Sequence, residues 1–129
     1  TCALPILTSP WVRCKTTLAP YAKRRKMKLI ERSQLSELGN KNGPQRTEKV
    51  IQDLIEDGRS VAICTHRPAL PTIIDVIGTY GTATQAATLQ ASLALAPGEL
   101  TVIHLTREKL ALKRRIVSIE TYTPGPPVN

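Results

Sequence analysis

Ser60-Val61-Ala62-Ile63-Cys64-Thr65-His66-Arg67-Pro68 carries the clearest architectural signal in the chain. Val61 to Cys64 is short and apolar without interruption, the pattern of a strand covered on both faces. Upstream, Thr47 to Asp57 reads as a helix. Its Val50, Ile51, Leu54 and Ile55 recur at helical spacing, and Gly58 is placed to end it. Downstream, Ala69 to Thr79 reads as a second helix with Pro71 in its first turn. Helix, strand and helix in succession predict an α/β fold around a parallel sheet.

Nearer the N-terminus, Leu7-Thr8-Ser9 reads as the end of another strand, and Pro10 opens a helix from Trp11 to Lys26 that Pro20 should kink or interrupt. Lys23-Arg24-Arg25-Lys26 falls where a helix would end, and cations there complement its dipole. Met27 to Ile30 reads as a short strand and Ser33 to Pro44 as a polar loop. Beyond the second helix, Gly81 to Ala94 reads as a surface helix or lid, and Pro97-Gly98 as a turn. Leu100 to Leu105 and Arg115 to Tyr122 read as strands, with Glu108-Lys109 in the turn between them. Pro124 to Asn129 reads as a disordered tail. Thr1 to Ile6 resembles the in-frame translation of a common sequencing adapter and is set aside as foreign, the alternative being a native strand start; on the adapter reading the chain is a truncated reading frame.

The 129 residues suffice for one modest domain, and with one Trp, three Tyr and no Phe its core must be aliphatic. A net charge of +8 suits anionic partners. The shortage of aromatics argues against nucleic acid, whose single-stranded bases are usually held by stacking. Cys2, Cys14 and Cys64 form no CxxC and no metal-like spacing, which points to a reducing compartment. No run is apolar enough to span a membrane and no signal peptide is visible, so the expected location is the cytoplasm, with no membrane partner.

Two places could carry chemistry. Thr65-His66-Arg67-Pro68 lies where a strand gives way to a helix, the position at which open α/β sheets bind ligands. A helix start offers free N–H groups to an anion, and a histidine and an arginine there make a phosphate pocket. Ser9 to Thr17 is a second such junction, with Arg13 in the first helical turn, where a guanidinium fork can grip phosphate oxygens. Alone, Arg13 reads as an exposed first-turn side chain. Two junctions from one parallel sheet open on the same edge, and each strengthens the other. Glu37, in Leu35-Ser36-Glu37-Leu38, is a carboxyl that could protonate a leaving oxygen. By itself it reads as a solvated loop residue. His104, among apolar neighbours on a strand, reads as structural, and Cys14 and Cys64 as small buried residues.

In order, L-x-S-P-x-x-R-C-x-x-T, L-S-E, C-T-H-R-P-x-L-P and P-G-E-L-x-V-x-H resemble the histidine-phosphatase (phosphoglycerate-mutase-like) superfamily from Leu7 to about Tyr122. The nearest likeness is to the domain that follows a MutT-type Nudix domain in actinobacterial fusion proteins. The resemblance implies a three-layer α/β/α domain with a mostly parallel sheet, residues 7–123, lacking its first strand and helix. It implies phosphoryl transfer to a histidine of an R-H-G motif, then release of phosphate by water. Arg13 would grip the phosphoryl group, His66 would be the second pocket histidine, Glu37 the general acid, and Ser9 and Arg67 would line the pocket. No metal is implied in this domain. Magnesium would enter only with an upstream Nudix domain.

Two departures stand out. No Arg-His-Gly occurs in the chain, which places the nucleophile upstream of Leu7; and Thr65 stands where the family usually has glycine before the second histidine. The expected parent is a phosphohydrolase acting on a phosphorylated small molecule or nucleotide, with the fragment itself inactive. The rival reading is a non-catalytic module that binds a nucleotide or orders a Nudix partner.

Overall fold

The computed structural model describes residues 5–107 and 114–125. The Glu108-Lys109 turn, most of the adapter-like segment and the last four residues of the tail lie outside the described residues. The chain divides into two compact units, Thr1–Ile73 and Ile74–Asn129. The architecture is mixed α/β, with a parallel sheet in the first unit and a small antiparallel sheet in the second.

In the first unit β1 (Ile6–Thr8) is the central strand, flanked by β2 (Leu29–Glu31) and β3 (Ala62–Cys64), all parallel. All three residues of β1 are buried, whereas β3 is only half-buried. The doubly covered strand is therefore β1, and the apolar run that suggested it sits on a sheet edge. Ile6 is fully buried and pairs with both Leu29 and Ala62, so the boundary drawn after Ile6 falls inside β1.

Helix α1 (Val12–Arg25) follows β1 and packs against all three strands. It runs through Pro20 without a break, contrary to the expected interruption. Pro20 and Thr16 both face solvent, so the carbonyl that loses its partner at the proline is free to hydrate. Lys26 adopts a left-handed conformation at φ 54° and closes the helix after its basic last turn.

The expected loop from Ser33 to Pro44 is largely helical. A 3-10 turn (Ser33–Leu35) leads into α2 (Glu37–Asn42). Ser36 explains both: its Oγ donates to the Ser33 carbonyl at 2.6 Å and accepts from the Gly39 N–H at 2.9 Å. That is an N-cap, which a composition rich in Ser, Asn and Gly disguised as loop. Helix α3 (Pro44–Asp57) begins with Pro44 in its first turn, three residues earlier than the apolar stripe suggested, and ends at Gly58 with φ 80°. Ile51 and Ile55 are buried, and Thr47 anchors the helix through a 2.8 Å bond from its Oγ1 to the Gln34 carbonyl.

Helix α4 (Leu70–Gly78), preceded by a 3-10 turn at Arg67–Ala69, crosses the boundary between the units. In the second unit α5 (Ala83–Leu89) is fixed by a capping box. Thr82 Oγ1 accepts from the Gln85 N–H, and the Gln85 side chain accepts from the Thr82 N–H. A 3-10 segment, Gln90–Ala94, continues it, with Leu89 and Ser92 buried, so this region is partly core. Strands β4 (Leu100–Leu105) and β5 (Ile116–Tyr122) form an antiparallel pair. The Ile116 N–H donates to the Tyr80 carbonyl at 3.0 Å and its carbonyl accepts from Gln85 Nε2 at 3.1 Å, tying the hairpin to α5. Among the described residues no helix is long and apolar enough to cross a membrane.

Candidate functional site

Strand order β2-β1-β3 places the switch point of the sheet between β1 and β3. From β1 the chain crosses to one neighbour and then returns to the other side. In open α/β sheets ligands bind beyond the strand ends at such a point. Thr8 pairs with Cys64, so Ser9 and the Thr65-His66 segment emerge side by side. The Ser9 N–H donates to the Cys64 carbonyl at 3.0 Å and locks the two exits together.

His66 is half-buried at this point. Its Nε2 lies 2.8 Å from Ser9 Oγ and 3.8 Å from Cys14 Sγ. Ser9 Oγ also accepts from the Trp11 N–H at 3.3 Å, which leaves its own proton available to the imidazole. The Trp11 ring packs on the imidazole, centroids 4.8 Å apart and planes tilted by 47°. Burial holds the His66 pKa below its ordinary value of 6.5, and the Arg13 guanidinium adds to this while Glu37 opposes it. At neutral pH His66 is therefore an uncharged imidazole.

Arg13, Glu37 and Arg67 are all exposed at this edge. Arg13 occupies the first turn of α1, whose N-cap residue Trp11 makes no side-chain cap bond. The first N–H groups of α1 thus receive no side-chain cap from Trp11, and such a helix end attracts anions. Glu37 opens α2, which packs against the Arg67–Ala69 turn. Thr65 Oγ1 donates to the Leu35 carbonyl at 2.5 Å and joins the two loops. Thr65 therefore ties the segment bearing His66 to the one bearing Glu37.

The structure brings Ser9, Arg13, Glu37, His66 and Arg67 to one end of the sheet, and the fields of Arg13 and Glu37 both reach His66. The residues missed in the sequence are Trp11 and Cys14. Cys14 is buried, and its Sγ donates to the Thr65 carbonyl at 3.4 Å. A hydrogen bond from Cys64 lowers the Cys14 pKa against the opposing effect of burial; the same bond and burial raise that of Cys64. Both positions were visible in Ser9-Pro10-Trp11-Val12-Arg13-Cys14: a residue two beyond the strand exit, and one facing back from the first helical turn.

His104 lies elsewhere, exposed on β4, with its Nε2 3.3 Å from Glu120 Oε2. Among the described residues no cluster of three or more His, Cys, Asp or Glu could hold a metal ion. Compared with family models and with curated proteins, the chain matches none.

Proposed function

We propose that this edge of the parallel sheet binds the phosphoryl group of a phosphate ester, as part of a histidine-phosphatase-type phosphohydrolase. The observation that carries this reading is the junction of Ser9, His66 and the α1 N-terminus at the switch point, with Nε2 to Oγ at 2.8 Å and Arg13 close enough to perturb the imidazole. Phosphoryl transfer asks mainly for positive charge and donors around three equatorial oxygens. A guanidinium fork, an imidazole N–H and free helix N–H groups supply them.

On this reading the domain is a three-layer α/β/α unit whose nucleophilic histidine belongs to an R-H-G element upstream of Leu7. That histidine attacks phosphorus, the P–O bond to the leaving group breaks, and Glu37, having taken a proton from solvent, passes it to the departing oxygen. Water then attacks the phosphohistidine and releases phosphate. An R-H-G in the upstream sequence separates this enzyme from a non-catalytic nucleotide-binding module, which would lack it.

Calorimetric titration with inorganic phosphate tests the site. Binding should weaken about tenfold or more in Arg13→Ala, the size expected when a charge-assisted hydrogen-bonding partner is removed, and also in His66→Ala. Binding unaltered in both variants removes the reading. The 129-residue chain should turn over no generic phosphate ester; turnover abolished by His66→Ala would overturn the upstream placement of the nucleophile.

A further inference from the structure

Next to the proposed phosphate site lies a depression. Trp11, Glu37, Leu38 and Lys41 line a pocket of 270 Å³. Trp11 is the only tryptophan in the chain, yet 36% of its surface remains exposed. Leu38 is 57% exposed. The one indole of an aliphatic-cored protein and an adjoining leucine thus give this depression apolar walls.

The indole is held in place before any ligand arrives. Its residue's N–H is bonded to Ser9 Oγ and its ring rests on His66. A fixed aromatic face adds little ordering cost on binding. The pocket adjoins His66 through Trp11, which lines the pocket and packs on the imidazole. Glu37 lines the pocket while its charge acts on His66. A phosphate held at His66 and Arg13, with its leaving oxygen toward Glu37, directs the leaving group over Trp11 and Leu38. At 270 Å³ the space is slightly smaller than a usual ligand pocket, room for one ring and not for a polymer segment.

We propose that this pocket is a leaving-group subsite for a flat aromatic ring, which makes the preferred substrates aryl phosphate monoesters and not alkyl ones. The inference rests on the phosphate reading above. Trp11 supplies the stacking face, Leu38 a second apolar wall, and Lys41 a cation for a polar or anionic substituent on the ring.

The test is calorimetric titration of the full chain with inorganic phosphate, methyl phosphate and phenyl phosphate, with Trp11 fluorescence followed in parallel. Phenyl phosphate should bind about tenfold more tightly than methyl phosphate, the scale of one stacked ring, and should quench Trp11. Leu38→Gln, at an exposed position that folding does not depend on, should erase that preference and leave inorganic phosphate affinity unchanged. Equal affinity for the two esters, or a preference that survives Leu38→Gln, overturns the subsite while phosphate binding stands. If inorganic phosphate and both esters all fail to bind, the phosphate reading itself is lost and the subsite with it.

Discussion

The chain's two histidines sit in opposite kinds of surroundings. His66 stands at a strand exit, half-buried, with Ser9, Cys14 and Trp11 around it and its proton disfavoured. His104 stands in mid-strand on an antiparallel pair, exposed, with a carboxylate partner in Glu120. Both have a hydrogen-bonding neighbour, so having one is no sign of function. The difference is topological. Parallel strands connected by helices must all turn at the same edge, so their exits gather side chains that are distant in sequence. Ser9 and His66 are 57 residues apart, whereas His104 meets Glu120 across one hairpin, 16 residues away. Surface pairs of that second kind contribute little.

The largest effect should come from β1, on which that edge depends. Ile6→Ala should destabilise the protein by about 2–5 kcal/mol, the usual cost of truncating a fully buried isoleucine. Val117→Ala on the exposed face of β5 should stay within about 0.5 kcal/mol. Urea unfolding of the two variants measures both. An Ile6→Ala variant as stable as the parent would show that the first strand contributes nothing and that the adapter-like segment is dispensable.

Next in size is the pH response of His66, read by NMR titration of its imidazole. His66 should titrate below 6.5. Its folded-state pKa is depressed, so the unfolded chain binds more protons than the folded one in this window. Stability is then complete above 6.5 and falls as pH drops through the folded value. Arg13 opposes the added proton and Glu37 favours it, so Glu37→Gln should push the His66 midpoint further down. His66→Gln should flatten the slope of stability against pH in that range. A His66 midpoint at or above 6.5 would break the contrast.

A smaller effect tests the neighbourhood of His66. In Cys64→Ala the donor that favours the Cys14 thiolate is gone, and the Cys14 midpoint should rise, followed by carbon-13 shifts of labelled cysteine. An unchanged midpoint would mean that the hydrogen bonds from Thr8 and the Ser9 backbone, with Arg13, and not the paired thiol, hold it down.

How much of this was legible in sequence follows the same division. Where one physical signal dominates, the residues were readable: Val50, Ile51, Leu54 and Ile55 announced α3, and Leu100 to Leu105 matched β4 residue for residue. Where signals compete, they were not. Ser36 made a helix start from residues that favour turns, and Pro20 stayed within α1 because the orphaned carbonyl faces water, a fact no local pattern encodes. The meeting of Ser9 with His66 depended on parallel register, which the alternation of helix and strand implied. The tilted packing of Trp11 on that imidazole depended on the angle at which α1 leaves β1, which nothing in the residue order specifies.

The smallest expected effect lies on the hairpin. Tyr122 Oη donates to Glu120 Oε2 at 2.7 Å, and this bond, ahead of the one from His104, holds the Glu120 pKa below its ordinary value. All three side chains are exposed, so solvent competes for every bond among them. In Tyr122→Phe the Glu120 carboxyl should titrate closer to an ordinary glutamate, with unfolding unchanged within the error of a denaturant curve. Because the folded pKa of Glu120 is depressed, its contribution is present at neutral pH and is lost only as pH falls through the carboxylate range, below the window in which His66 acts. The two regions should therefore separate along the pH axis. Acidification from neutrality first weakens the protein through His66, and the hairpin pair follows only at lower pH. A Tyr122→Phe variant that altered stability near the His66 midpoint would show the hairpin cluster to be coupled to something other than its own strand pair.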